Sequence, residues 1–226
     1  MKLQHIELSL PTQGAWLAAR LAHAHDAHGI ALMLRVADNP LIRQREHIVA
    51  TVLQEAGLAT LALDLVPHAE ARHDIDAFYN IARLSSRILA TVEWIGNQPI
   101  LTGLAVGALA TSTASAAVIR AATHAPERFG ALCLFAGRPD LAGKTPLRTL
   151  KSPSRFIVGA DDGRAAILRQ AFDLIPATRD WQTIEGGEPE HFSIAALTTS
   201  ATLAADWLLT HLRPPCPAVP EQDAGE

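Results

Sequence analysis

Ser112 is the residue of this sequence whose surroundings best suit nucleophilic chemistry. A serine that attacks an acyl carbon must stand on a sharp turn between a strand and a helix, with small neighbours that let the backbones approach. The apolar run 104–110 ends just before Ser112, and the alanine-rich run 114–122 follows it at once. The usual Gly-x-Ser-x-Gly pattern has become Ala-x-Ser-x-Ala. We predict a nucleophilic role for Ser112, and the alternative is that it caps the following helix.

A carboxylate pair and a histidine follow this serine in the order that an acyl-transfer site requires. Asp161 and Asp162 come directly after a predicted strand, and His191 lies in a loop between the next predicted strand and the last helix. An acid there would accept a hydrogen bond from His191 Nδ1 and fix the ring, while Nε2 would take the proton of Ser112. The alternatives are that the aspartates cap the next helix and that His191 is a solvated loop residue.

A second segment of the sequence has the glycine spacing of a turn that carries a nucleophile. Residues 103–107 read Gly-Leu-Ala-Val-Gly, with Ala105 where the nucleophile would stand, which would make the protein an inactive relative. Only residues 100–102 would then remain as the preceding strand, whereas a strand that continues to the Ser112 turn has an ordinary length. The strand context therefore favours Ser112.

Composition and charge restrict the kind of protein. The chain has 226 residues, of which 49% are hydrophobic, which is enough for one full core and predicts one domain over residues 1–213. Its apolar runs are shorter than a membrane span, and its start is too polar for a signal peptide, so we expect a cytoplasmic protein. The formal net charge of −4 is spread over interspersed charges, which argues against nucleic acid as a partner.

No cofactor site is predicted. The two cysteines have neither metal-site nor disulfide spacing, and the histidines at 23, 25 and 28 fit a solvated turn better than a metal site. The sequence also lacks a Gly-x-Gly-x-x-Gly or Gly-Lys-Ser/Thr motif, which weakens a nucleotide-binding interpretation. We expect a small-molecule partner and a monomer or homodimer.

The apolar runs alternate between strand and helix patterns. An initial strand pair, 6–10 and 15–21, precedes near-continuous apolar runs of the kind that form parallel strands buried on both faces. This order predicts an α/β-hydrolase fold with a mainly parallel sheet, helices on both faces and no large cap, although a flavodoxin-like or Rossmann layout shares most of it. The Pro-rich tail 214–226 is predicted to be disordered. The other predicted strands are 29–34, 59–65, 104–110, 130–135, 155–158 and 181–184, and the predicted helices are 43–56, 76–95, 114 to about 126, 164–175 and 194–212.

The segments around the turn resemble the small, lidless dienelactone-hydrolase-like branch of the α/β-hydrolases. The resemblance runs without a gap from Trp94 through Ser112 to the Gly-Arg-Pro-Asp-Leu-Ala-Gly segment 137–143, and segments upstream and downstream also match, so that it covers most of 29–212. It implies a serine hydrolase acting on a small ester, thioester or lactone, with Ser112, Asp162 and His191 as the triad. It also implies backbone N–H groups of Thr113 and Ala37 as the oxyanion donors.

The segment 35–40 departs from this family. The family has His-Gly and small polar residues there, whereas this chain has Arg-Val-Ala-Asp-Asn-Pro. Loss of one oxyanion donor lowers kcat by about 10²–10³, so we expect a slow enzyme, or alternatively a non-catalytic ligand-binding or regulatory relative. Arg35 is predicted either to form an internal salt bridge with Asp38 or Asp64 or to bind an anionic substrate.

Overall fold

The central element is an eight-stranded sheet in a computed structural model that describes residues 3–12, 14–36, 40–188 and 191–212. The strand order is β1-β2-β4-β3-β5-β6-β7-β8. The first hairpin and its contact with β4 are antiparallel, and all other described pairs are parallel. The strands are β1 (Gln4–Thr12), β2 (Ala15–His23), β3 (Ile30–Arg35), β4 (Ala59–Asp64), β5 (Val106–Thr111), β6 (Ala131–Phe135), β7 (Ser154–Gly159) and β8 (Arg179–Ile184).

Helices cover both faces of the sheet. The apolar residues of α1 and α7 pack in one cluster with one face of the central strands, and those of α3, α4 and α6 pack in a second cluster on the other face. This is the α/β-hydrolase architecture predicted from the alternating pattern. No helix within the described residues is long and apolar enough to cross a membrane. The helices are α1 (Pro40–Glu55), α2 (His68–His73), α3 (Ile81–Gly96), α4 (Ala114–His124), α5 (Lys144–Thr149), α6 (Ala165–Leu174) and α7 (Ile194–His211).

Several predicted boundaries were wrong, and hydrogen bonds explain two of them. The helix expected over 76–95 begins at Ile81, because Ile75–Tyr79 is a separate 3₁₀ turn and the Asn80 side chain caps α3 by accepting from the Arg83 N–H. The strand expected from 104 begins at Val106, because a backbone hydrogen bond from Leu104 to Leu101 keeps the preceding residues in a turn. The tail 214–226 lies outside the described residues.

Ion pairs hold the segment between β4 and α3 against the helix layer. Arg87 of α3 is 3% exposed, and its guanidinium donates to Glu70 of α2 at 2.5 Å and to the Leu65 carbonyl at 2.7 Å. Arg83 donates to the same carboxylate at 2.7 Å. Burial raises the pKa of Glu70, but the hydrogen bonds from Arg87 and Arg83 outweigh it, so the net pKa lies below its ordinary value. The charged carboxylate is therefore the form that stabilises this segment.

We predict that Glu70→Gln lowers the free energy of unfolding by about 1.5–3 kcal/mol near pH 7, the usual contribution of hydrogen bonds to a charged group. Because the pKa of Glu70 is lower in the folded state, its stabilisation is present above the unfolded pKa and disappears as pH falls through the folded one. Urea denaturation of both proteins from pH 7 to pH 3 should therefore show the difference shrinking in acid. Glu93→Gln, an exposed glutamate of α3, is the matched control. A difference that stays constant with pH would contradict this prediction.

Candidate active site

Ser112 occupies a strained turn between β5 and α4. Its φ is +50°, in the left-handed region that residues other than glycine rarely adopt. The helix begins at Ala114, and Thr113 occupies the capping position without a side-chain cap bond. Within the described residues no hydrogen bond engages the Ser112 hydroxyl, so the capping alternative is wrong. Ala136, which follows β6, also has a positive φ, of +48°. Backbone strain of this kind clusters at functional sites.

Gly137, which follows β6, lies close against this turn. A Cβ atom at Gly137 would lie 2.7 Å from the Ser112 carbonyl oxygen and 3.0 Å from its nitrogen. The Ser115 hydroxyl donates to that carbonyl at 2.6 Å, and the Arg138 N–H donates to it at 3.0 Å. The close approach that glycines flanking the serine usually permit is thus permitted here by a glycine that follows the neighbouring strand. Sequence reasoning missed the roles of Gly137 and Ser115, and the available signal was a glycine two residues after a buried strand.

Asp162 is the buried member of the carboxylate pair. It follows β7, and its side chain is fully buried, whereas Asp161 is exposed. Its Oδ1 accepts from the Arg164 backbone N–H at 2.8 Å and from Arg164 Nε at 3.3 Å. Its Oδ2 is buried and has no partner among the described atoms. A buried carboxylate oxygen without a donor is unfavourable, so this atom is suited to accept an N–H from another group.

His191 lies after β8 and is exposed. Its backbone N–H donates to the Glu188 carbonyl at 2.8 Å, and Arg164 lies 3.4 Å from the Glu188 carboxylate. Because β5, β7 and β8 are parallel, Ser112, Asp162 and His191 all follow strand ends at the same edge of the sheet. In the described part of the chain, no hydrogen bond joins His191 to either of the other two. Residues 189 and 190 lie outside the described ranges.

The loop that carries His191 packs directly over the end of β7. A Cβ atom at Gly159 would lie 1.6 Å from the Gly187 carbonyl oxygen and 2.6 Å from that of Gly186. The Asp161 N–H donates to the Gly186 carbonyl at 3.0 Å. The absence of a side chain at residue 159 therefore sets how closely the histidine loop approaches the acid loop.

Of the two predicted oxyanion donors, Thr113 lies within the described residues. The backbone N–H of Thr113 stands at the start of the turn into α4, and none of the described residues accepts a hydrogen bond from it. The Thr113 hydroxyl donates to the Phe78 carbonyl at 2.5 Å, which ties the turn to the segment before α3. Ala37 lies outside the described residues.

A cavity of about 190 Å³ opens beside Ser112, on the face of the sheet that α1 and α7 cover. Arg35 lies on its wall and pairs with Asp64 and with Glu46, the latter at 2.5 Å. The predicted salt bridge with Asp64 is confirmed, while Asp38 lies outside the described ranges. Burial raises the pKa of Glu46, although the guanidiniums of Arg35 and Arg20 oppose that effect. Whether Arg35 also binds substrate stays a prediction.

Metal and thiol chemistry have little support among the described residues. His, Cys, Asp and Glu side chains do not gather there into a group of three that could hold a metal ion. Cys133 is fully buried in β6, and burial raises its pKa far above the ordinary range, so the described cysteine is poorly suited to act as a nucleophile.

Known proteins share this architecture. A dienelactone hydrolase from Anabaena variabilis ATCC 29413 is 30% identical, with a TM-score of 0.85 over 94% of this chain and 100% of that one. An esterase from Pyrococcus furiosus has the same fold at 10% identity, with a TM-score of 0.71 over 92% of this chain and 93% of that one. No protein-family model matches the sequence.

Two curated proteins of Mycobacterium tuberculosis, each provisionally named a phosphoribosyl transferase, are 32% identical over 203 residues. The match covers 89% of this chain and 45% of each of those proteins. The chain therefore spans less than half the length of the curated relatives it matches.

Proposed function

This chain belongs to the dienelactone-hydrolase-like branch of the α/β-hydrolases, and we propose that it cleaves small esters, thioesters or lactones through Ser112, His191 and Asp162. The observation that carries the proposal is the positive φ of Ser112 at the turn between β5 and α4. The fold keeps a non-glycine residue there at a cost of about 1–3 kcal/mol. A strained turn at the carboxyl edge of the sheet is the position from which a nucleophilic serine exposes its Oγ to substrate.

The proposed reaction proceeds through an acyl-enzyme. His191 Nε2 takes the proton of Ser112 as Oγ attacks the carbonyl carbon, and the resulting oxyanion accepts the Thr113 N–H. The imidazolium then protonates the leaving oxygen or sulfur, whose bond to carbon breaks. Water then attacks the acyl carbon while His191 takes its proton; the bond from that carbon to Ser112 Oγ breaks, His191 returns the proton to Oγ, and the acid leaves. The role of Asp162 is to accept the Nδ1 proton of His191 and hold the ring, through its buried Oδ2.

The proposal includes a low kcat. The second oxyanion donor would come from Ala37, in a segment that lacks the family's glycine. If that N–H is missing or misdirected, kcat falls by about 10²–10³. The Thr113 N–H and the three side chains do not depend on the segment, so turnover persists at a reduced rate.

A non-catalytic relative that binds a ligand is the second candidate. Its supporting observation is that no hydrogen bond in the described part of the chain joins His191 to Ser112 or Asp162. Hydrogen bonds at active sites often tighten only when substrate is bound, so reactivity is the measurement that separates the two candidates.

An alkyl fluorophosphonate tests the proposal directly, because it labels only an activated serine. We expect stoichiometric labelling of the wild type, seen as an intact-mass increase, and no labelling of Ser112→Ala. Ser86→Ala, which removes an exposed serine of α3, is the matched control and should label like the wild type. An unlabelled wild type would favour the ligand-binding candidate.

We predict that Gly159→Ala lowers kcat for a short p-nitrophenyl ester by about 10²-fold, a loss that a misplacement of about 1 Å can cause. The new methyl group would overlap the Gly187 carbonyl, so the loop that carries His191 must move outwards. The matched control is Gly163→Ala, where a Cβ meets nothing within 4 Å, and this variant should keep the wild-type rate. Circular dichroism establishes that both variants fold. Equal rates in the two variants would show that the close approach is not needed for catalysis.

A further inference from the structure

We propose that the cavity beside Ser112 is an acyl pocket for an uncharged hydrocarbon group of limited size, an inference that rests on the proposed function and specifies its substrate class. The cavity has a volume of about 190 Å³, and Ser112 and Thr111 stand in its wall. An acyl carbon at the serine would therefore have its substituent beside this space.

The floor of the cavity is hydrocarbon. Met33 and Leu109, which are paired across β3 and β5, and Phe135 of β6 contribute from the sheet. Val49 of α1 and Leu197 of α7 contribute from the helices above it. All five belong to one apolar cluster, and each keeps 4–7% of its surface accessible, as wall residues of a cavity do. A group that enters this space exchanges water for apolar contacts.

Two charged residues of the cavity wall, Arg35 and Glu46, are paired with each other. Glu46 of α1 is held between Arg20 and Arg35, and Arg35 also pairs with Asp64. Arg45, the other arginine of the wall, donates to the Phe192 carbonyl oxygen. A carboxylate-bearing acyl group would lose hydration and stand close to Glu46, with which it would compete for Arg35. Competition with Glu46 for Arg35 therefore disfavours a carboxylate at this part of the wall.

Volume sets the upper length of that group. An apolar cavity of about 150 Å³ accepts benzene, so about 190 Å³ accepts some six to eight carbon atoms. Burying one methylene group contributes enough free energy for about a fourfold gain in kcat/KM. The gain should stop once the chain is longer than the cavity.

The first test is the chain-length profile of the wild-type protein. We expect kcat/KM for p-nitrophenyl esters to rise about three- to fourfold per methylene from acetate to hexanoate and to fall by decanoate. The hemisuccinate ester, which carries a carboxylate, should be at least tenfold worse than the butyrate. A flat profile, a maximum at acetate, or a preference for the hemisuccinate would overturn the pocket and would instead favour anion binding at Arg35.

Val49 supplies the second test, because its size can be changed in both directions. Val49→Leu should move the optimum to shorter esters, and Val49→Ala should move it to longer ones. The matched control is Val92→Ala, a buried valine of α3 that does not line this cavity, which should lower Tm without moving the optimum. Identical profiles in the two Val49 variants would overturn the assignment.

The outcomes separate this inference from the proposed function. If fluorophosphonate labels the wild type but the chain-length profile is flat, the serine hydrolase assignment stands and the acyl pocket is overturned. If the wild type is neither labelled by fluorophosphonate nor active on the esters, the proposed function is overturned. The pocket is then tested by ligand binding alone. In that test, hexanol should raise the Tm of the wild type and raise that of Val49→Leu less. Equal shifts in the two proteins would overturn the pocket.

Discussion

Ser112→Ala is expected to lower kcat/KM for p-nitrophenyl butyrate by about 10⁴-fold or more, to the background rate, because triad members act as a unit. Its Tm should stay close to that of the wild type, since the Ser112 hydroxyl has no hydrogen bond within the described residues and alanine keeps the same backbone. Steady-state kinetics and a thermal melt measure both quantities. Equal turnover by the variant would remove Ser112 from the mechanism.

Ser112→Gly is the matched control for the strain argument. Glycine adopts a φ of +50° at no steric cost, so this variant should relieve about 1 kcal/mol and raise Tm by about 2–4 °C, while its activity is as low as that of the alanine variant. A glycine variant less stable than the alanine variant would show that the turn is not strained at this residue.

Asp162→Asn is expected to lower kcat by about 10⁴-fold, the loss that follows when a triad carboxylate becomes an amide and His adopts the wrong tautomer. Asp161→Asn should stay within a few-fold of the wild type, because Asp161 is exposed while Asp162 is buried with Oδ2 lacking a donor among the described atoms. His191→Ala should match the loss in Asp162→Asn, which identifies the partner of the acid.

The two aspartates are adjacent and isosteric, so each is the best control for the other. The reversed ranking would mean that the carboxylates have exchanged roles. Similar large losses in both variants, accompanied by a fall in Tm, would indicate that the loop after β7 had been disrupted.

The order of the elements was determined by the sequence. Apolar runs and helical spacing are local properties, and an initial strand pair followed by strand–helix units predicts a mainly parallel sheet with helices on both faces. The placement of Ser112, Asp162 and His191 after β5, β7 and β8 follows from the same reasoning, because parallel strands end at one edge. Local patterns were less able to set helix ends, as the cap at Asn80 shows.

Contacts between distant residues were decided only by the tertiary structure. The sequence alone left Asp38 and Asp64 as alternative partners of Arg35. The parallel register of β3 and β4 places Arg35 beside Asp64, and the packing of α1 brings Glu46 to the same guanidinium. Alternation of side chains along the chain cannot tell which of two adjacent aspartates is buried after a strand has ended. The close approach of Gly137 to the turn and the cavity beside Ser112 each need elements far apart in sequence to meet, and no local pattern specifies how side chains from different elements pack together.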